Sequence, residues 1–321
     1  MKLLTKLPVC IRRLVALITL LTLIFNMSEN IYAVRMKNSG MFDNTYETAL
    51  PQTTVAKFVK EHFDAPLPAG KTEKKCIILG YDGARCDSVL NLKDLEDSAV
   101  NHIAAQGGLY MSYAGGPNKC LNLQATSTCP GWASVLTGVW ATKHKVKSNG
   151  LPLSAKTRTV LTSLVENGKA DSSAFFCSWS GHITGDNATY RFEAAYTAEN
   201  NINVRWLTFS GDDAAQAALL QEAASPECAD MIFCVYDKPD YAGHGFGFSN
   251  DVPEYVEAII LTDKDAFEVI SAIENRDTYQ SEDWLIILTS DHGGKGTGHG
   301  SQDVECRMTF LASSKEIIPA D

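Results

Sequence analysis

Six residues suited to binding a metal ion lie in four short glycine-rich stretches: Asp82 in GYDG, Asp240 and His244 in DKPDYAGHG, Asp291 and His292 in SDHGG, and His299 in GTGHG. Carboxylates and imidazoles in this mixture are the oxygen and nitrogen ligands that zinc and similar divalent ions take. Gathered without a cation, the carboxylates would repel one another and raise their own pKa values. A second stretch, TSTCPGWASVLTG from Thr126 to Gly138, sets the hydroxyls of Thr126, Ser127 and Thr128 and the thiol of Cys129 ahead of WASVLTG, which reads as the opening turns of a helix. Two explanations are open for it. The hydroxyls cap the helix, or one of them is a nucleophile presented where the helix dipole favours an anion.

Such residues need elements that bring them together. Near-continuous apolar runs at CIILGYD (76–82), SSAFFCSW (172–179), MIFCVYD (231–237), WLIILTSD (284–291) and MTFLAS (308–313) fit strands buried on both faces of a parallel sheet. Between them, RTVLTSLVENGK ends in a glycine suited to a helix C-cap, DDAAQAALLQEAA opens with acidic residues suited to a helix N-terminus, and VPEYVEAIILTDKDAFEVISAIEN keeps an apolar face over many turns. The alternation predicts an α/β fold, a three-layer α/β/α sandwich around a mostly parallel central sheet. In such sheets ligands bind beyond the carboxyl ends of the strands. Asp82 and Asp291 end two of the runs, and Asp240 follows a third.

The chain has 321 residues, 45% of them hydrophobic, and a net charge of −10, which argues against binding a nucleic-acid duplex. Lys2, Lys6, Arg12 and Arg13 followed by LVALITLLTLIFNM and a small residue at Ala33 have the layout of a secretory signal peptide over 1–33, or of an uncleaved membrane anchor. Either places the body outside the cytoplasm, with membrane attachment only if the segment is retained. Loss of these four basic residues and Glu29 takes the net charge to −13. Residues 34–72 read as a polar lead-in with one short helix near Val55 to His62, and 73–321 as one catalytic domain. Cys76, Cys177 and Cys234 fall inside apolar runs, where a free thiol acts as a small hydrophobe; a disulfide pairing does not follow from the spacing.

Taken in order, GYDG, TCPGWASVLTG, DKPDYAGHG, SDHGG and GHG resemble the alkaline phosphatase superfamily, and within it the nucleotide pyrophosphatase/phosphodiesterase (type I phosphodiesterase) family, from about Lys75 to Ala312. The resemblance implies an alkaline-phosphatase-like fold and two divalent ions, zinc above all: one held by Asp82, Asp291, His292 and Thr128, the other by Asp240, His244 and His299. It also implies Thr128 as nucleophile, a phosphothreonine intermediate hydrolysed by water, and Asn149 contacting a phosphoryl oxygen. The implied substrate is a small phosphodiester or a nucleotide. The chain departs from the family at Gly131 and Trp132, where a pair such as Asn-His is usual; Trp132 reads as a core residue or a face for stacking a base. His182, Tyr190 and Trp206 are expected to be surface packing and His144 structural.

Three other functions compete. A phosphomonoesterase or phosphonate hydrolase would keep the fold and change the ester, and a secreted binding protein would use the scaffold without catalysis. A sulfatase is disfavoured, because sulfatases of the superfamily need a modifiable Cys or Ser followed by a Pro-Ser-Arg type pattern. Here Thr128 holds that position and Cys129 is one residue away.

Overall fold

The computed structural model describes residues 49–117 and 123–317. The expected signal or anchor segment over 1–33, most of the lead-in and Cys120 lie outside the described residues. Eight strands form one sheet: β1 (Leu50–Pro51), β2 (Glu73–Tyr81), β3 (Gly108–Tyr113), β4 (Ser173–Cys177), β5 (Val204–Thr208), β6 (Met231–Tyr236), β7 (Glu282–Thr289) and β8 (Met308–Ser313), in the spatial order β1-β3-β8-β7-β2-β6-β4-β5. All neighbours are parallel except β8, which runs antiparallel to both β3 and β7. The five apolar runs are all strands. β1, β3 and β5 have no counterpart among those runs: β1 is two residues long, and GLYMSY and VRWLT mix polar with apolar side chains and are partly exposed.

Side chains alternate across a strand, so β2 feeds two cores. Ile77, Leu79 and Tyr81 face the helices Ala99–Gln106, Asp212–Ala224 and Pro253–Glu274. Cys76 and Ile78 face the helices Thr54–Asp64, Thr128–Thr137 and Val160–Glu166. The result is the three-layer α/β/α sandwich. The described end of the lead-in is built into it: β1 pairs with β3, and Val55, Ala56, Val59 and Phe63 of the Thr54–Asp64 helix are buried in the second core. Cys76, Cys86, Cys129, Cys177, Cys228, Cys234 and Cys306 are free and buried.

Every residue of the Thr128–Thr137 helix is buried, and the αL conformation of Gly138 ends it. It is sealed between the sheet and the helices Thr54–Asp64 and Ala141–His144. That burial fixes its N-terminus, and with it Thr128, at the carboxyl edge of the sheet.

Candidate active site

β2 and β7 are neighbours, with Gly80 opposite Thr289, so the residues that follow them emerge side by side. Asp82 leaves β2, and Asp291 and His292 leave β7. The N–H of Gly83 donates to Asp291 Oδ1 at 3.2 Å. Indole Nε1 of Trp132 donates to Asp82 Oδ2 at 2.9 Å. Trp132 reaches this far because Gly80 has no side chain: a Cβ there would lie 2.4 Å from the ring. The departure at position 132 is thus a core residue that also orients Asp82. One oxygen of each carboxylate, Asp82 Oδ1 and Asp291 Oδ2, remains buried without a hydrogen-bond partner. Into that gap points His292. Its Nδ1 is engaged by the carbonyl of Gly293 at 2.8 Å, and Nε2 lies 3.3 Å from Asp82 Oδ1 and 3.4 Å from Asp291 Oδ2.

The second trio is assembled from two elements. Asp240 and His244 lie one turn apart on the Lys238–Phe246 helix, and His299 comes from the loop after β7. His244 Nδ1 meets the carbonyl of Thr297 at 2.9 Å, and His299 Nδ1 meets that of Thr126 at 3.2 Å. Each Nδ1–H is therefore donated to backbone, which leaves each Nε2 as a lone-pair acceptor. These two Nε2 atoms face each other at 3.1 Å, with Asp240 oxygens 3.4 Å from His244 and 3.8 Å from His299. Two lone pairs and a carboxylate pointing together repel unless a cation lies among them, and Asp240 Oδ1 is also buried without a partner. The two groups adjoin: the rings of His292 and His299 stack with centroids 4.1 Å apart, and His292 also forms a potential ligand set with Asp240 and His299. The residues fit divalent ions, with the carbonyls of Gly293, Thr297 and Thr126 selecting the tautomers.

Thr128 sits at the first position of its helix, Oγ1 3.5 Å from His292 Nε2. The hydroxyls of TSTC do not cap this helix. Ser127 is the N-cap but makes no side-chain cap bond, and Thr126 Oγ1 instead donates to the carbonyl of Ser301 and accepts from the N–H of Gly300, clasping the His299 loop. Cys129 is buried, and burial pushes its thiol up to about 11, so it is not a thiolate at neutral pH. The N–H of Cys129 donates to Asn149 Oδ1 at 2.9 Å, which leaves the Asn149 amide nitrogen as a donor.

Thr128, Asn149, Asp82, Asp240, His244 and His299 line a single cavity of 210 Å³ together with Trp179, Asp237 and Tyr241. Asp237 and Trp179 were missed although both follow strands, and the strand-end rule that located Asp82 would have reached them. Tyr241 carried no signal. The surface reading of His182 and Tyr190 is corrected: both are fully buried, packed on Phe175 of β4 with ring centroids 5.6 Å and 5.4 Å away. Trp206 stacks on Tyr190 at 6.0 Å, and His144 is a buried structural residue bonded to Ser134 and Val146.

The electrostatics are those of crowded, buried carboxylates and imidazoles. Burial, and then the charge of Asp82, hold Asp291 well above the usual carboxylate range and lift Asp240 to about 6. Burial would lower His292, but Asp291 and Asp82 override it and raise it to about 10. A proton on Nε2 occupies the position that a metal ion would take.

Gly131 is the other departure, and it is sterically required. A Cβ there would fall 2.6 Å from the carbonyl oxygen and 2.7 Å from the Cβ of Asp291. Gly131→Ala is expected to push Asp291 out of place, costing roughly 1–3 kcal/mol of stability and weakening metal retention; a zinc titration and a thermal melt check both. Unchanged zinc affinity would show that Asp291 is not positioned by this contact.

A family profile described as Type I phosphodiesterase / nucleotide pyrophosphatase matches residues 76–306. No curated protein matches the chain significantly. Among solved structures, a proposed sulfatase from Bacteroides fragilis superposes with a TM-score of 0.55 at 11% identity, covering 78% of this chain and 70% of that one. A 2-O GAG sulfatase gives 0.52 at 12% identity, covering 76% and 64%. Murine ectonucleotide pyrophosphatase / phosphodiesterase 5 gives 0.47 at 16% identity, covering 69% and 58%. The chain therefore spans less than two thirds of the length of the last two. At these identities the likeness to the two sulfatases is one of fold.

Proposed function

The chain belongs to the Type I phosphodiesterase / nucleotide pyrophosphatase family, a family of metal-dependent hydrolases, and from that premise we propose that it hydrolyses a phosphodiester or phosphoanhydride bond with Thr128 as nucleophile. The observation that carries this reading is the convergence, beside the Thr128 hydroxyl, of three buried carboxylate oxygens without partners and three histidine Nε2 atoms. Asp82, Asp291, His292 and Thr128 would hold one divalent ion, and Asp240, His244 and His299 the other, with zinc favoured by the nitrogen and oxygen donors. Bound there, the ions supply the positive charge that acidifies a threonine hydroxyl and offsets charge on the phosphoryl group.

The remaining steps belong to the chain's own residues. Thr128 Oγ attacks phosphorus as the P–O bond to the leaving alcohol or phosphate breaks, forming a phosphothreonine. Water then attacks the same phosphorus and returns the threonine hydroxyl. The dipole of the Thr128–Thr137 helix favours negative charge at its N-terminus. The free amide nitrogen of Asn149 donates to a non-bridging oxygen. Trp179 and Tyr241 offer aromatic walls to the substituent.

Charge favours a diester. Among the described residues, none of the nine that line the cavity is lysine or arginine, and a monoester dianion would call for such a fixed cation. The same argument admits a phosphonate monoester, which also carries a single negative charge. With zinc supplied, a nitrophenyl phosphodiester is expected to exceed nitrophenyl phosphate in kcat/KM by about tenfold or more, since one uncompensated charge is worth at least that much. Preference for the monoester would overturn the diesterase reading, and no turnover of either ester by metal-loaded protein would favour a binding protein. We also place the mature chain outside the cytoplasm, on the layout of residues 1–33; N-terminal sequencing of the mature protein and fractionation of expressing cells test this.

A further inference from the structure

Behind the trio of Asp240, His244 and His299 stands a residue that none of the motifs contains. Phe248 lies in the loop between the Lys238–Phe246 and Pro253–Glu274 helices, and its side chain is fully buried. Its ring meets the imidazole of His244 with centroids 5.5 Å apart at 81°, and that of His299 at 6.2 Å and 89°. It also packs on Tyr255 at 5.4 Å, as part of the first core.

Two glycines beside the candidate ligands make room for this ring. A Cβ on Gly243, next to His244, or on Gly294, two residues after His292, would lie 2.2 Å from one of its carbons. Neither contact is possible without displacing the ring. Gly247, at φ +123°, turns the chain out of the helix so that Phe248 points back under it. The backbone of Phe248 is tied to the same segments. Its N–H donates to the carbonyl of Gly296 at 2.7 Å, and its carbonyl accepts from Arg85 Nη1 at 2.6 Å.

The hydrogen bonds at Nδ1 choose the tautomers of His244 and His299 but hold each imidazole at one point. A ring hinged on one bond can still swing its Nε2, so packing must fix the rest. His299 is held between the stacked ring of His292 and the edge contact with Phe248. The side chain of His244 is 46% exposed, and among the described residues the rings against it are those of Phe248 and His299.

We propose that Phe248 is a positioning residue for the second ion. Its ring sets the separation and tilt of the His244 and His299 imidazoles and closes their core side to water, and so governs how tightly the trio holds a divalent ion. The inference rests on reading Asp240, His244 and His299 as an ion site. Asp82 and Asp291 are oriented by other contacts, the indole of Trp132 and the N–H of Gly83. Loss of the Phe248 ring therefore strikes one ion and spares the other.

The test is a zinc titration of the full chain, stripped with chelator and then loaded against a competing chromophoric chelator. Wild type is expected to show two affinities, and His244→Ala to lose one of them, which marks the second site. Phe248→Leu is expected to weaken the marked affinity by about 10–100-fold, the scale of outer-shell changes at metal sites, and to leave the other within about twofold. Phe63→Leu removes a buried ring from the other core, next to His62, which bonds the start of β2, and should leave both affinities in place. Gly294→Ala should weaken the marked affinity too. Combined with Phe248→Leu it should lose less than the product of the two single losses, because both act through one ring. If Phe248→Leu does not fold, Phe248→Met fills much of the same volume without a ring and carries the comparison. Unchanged affinity at the marked site in a folded Phe248 variant, or an equal loss in Phe63→Leu, overturns the proposal. A His244→Ala protein that titrates as wild type would remove the ion site itself, and both readings with it.

Discussion

Thr128→Ala is expected to lower kcat by roughly 10³-fold or more, the scale seen when a covalent nucleophile is removed, while the protein folds and binds metal. The fold should survive because the start of the helix does not depend on this side chain: Ser127 holds the N-cap position, and among the described residues the hydroxyl's one bond is a long 3.5 Å contact with His292. The burial that matters at this end comes from Trp132, Ala133, Val135 and Leu136, which the substitution leaves untouched. Thr128→Ser keeps the hydroxyl and should retain part of the activity. Acid quenching during turnover should trap phosphate on Thr128, detectable by mass spectrometry, in wild type but not in the alanine variant. Unchanged turnover in Thr128→Ala would remove the residue from the mechanism.

Removing the metal should be as damaging, and its signature should depend on pH. Chelation is expected to abolish hydrolysis. Asp291→Asn should lower activity by at least about 10²-fold, since even outer-shell partners of metal ligands cost 10–100-fold, and elemental analysis should show less bound zinc. In the stripped protein, stability should fall as pH rises above about 6.5. His292 has its folded pKa raised from 6.5 to about 10, so the native state holds a proton that the unfolded state sheds in this window. Its stabilising contribution is complete below 6.5 and is lost as pH rises through 10. Burial and Asp82 hold Asp291 well above 3.8, and it competes with His292 for the same protons, so the pair contributes once and in this direction. Zinc replaces these protons, so the loaded protein should lose much less stability between pH 7 and 9. Thermal melts with and without chelator read the difference. Asp291→Asn should weaken this pH dependence in the stripped protein, because Asp291 is the charge that most raises His292. Equal pH dependence with and without metal would show that the buried cluster is not the ion site.

Strand alternation and motif order carried most of the fold into the sequence. CIILGYD, MIFCVYD and WLIILTSD are apolar on both faces because both faces of β2, β6 and β7 are covered by helices, and that pattern is visible without coordinates. β5 escaped notice for the opposite reason: it is an edge strand with one exposed side. β8 reads like its neighbours but runs against them, because chain direction leaves no mark on an apolar run.

Local chemistry therefore established the inventory: an α/β sheet, three aspartates and three histidines near its carboxyl edge, and a hydroxyl cluster at a helix start. Long-range packing settled what each did there. Thr128 rather than Thr126 or Ser127 faces His292, because Thr126 is drawn off to the His299 loop and Ser127 stands in extended backbone one residue before the helix. Trp132 orients Asp82 only because Gly80, fifty-two residues earlier in the chain, leaves room for its ring. His182 is buried against Asp82 and Asp237 because β4 lies beside β6 and its aromatic residues enclose the loop that follows. A residue's type and its neighbours in sequence define the bonds it can make; which groups stand within 3 or 4 Å of it depends on strand order and on the volumes packed between them, and those are properties of the folded chain as a whole.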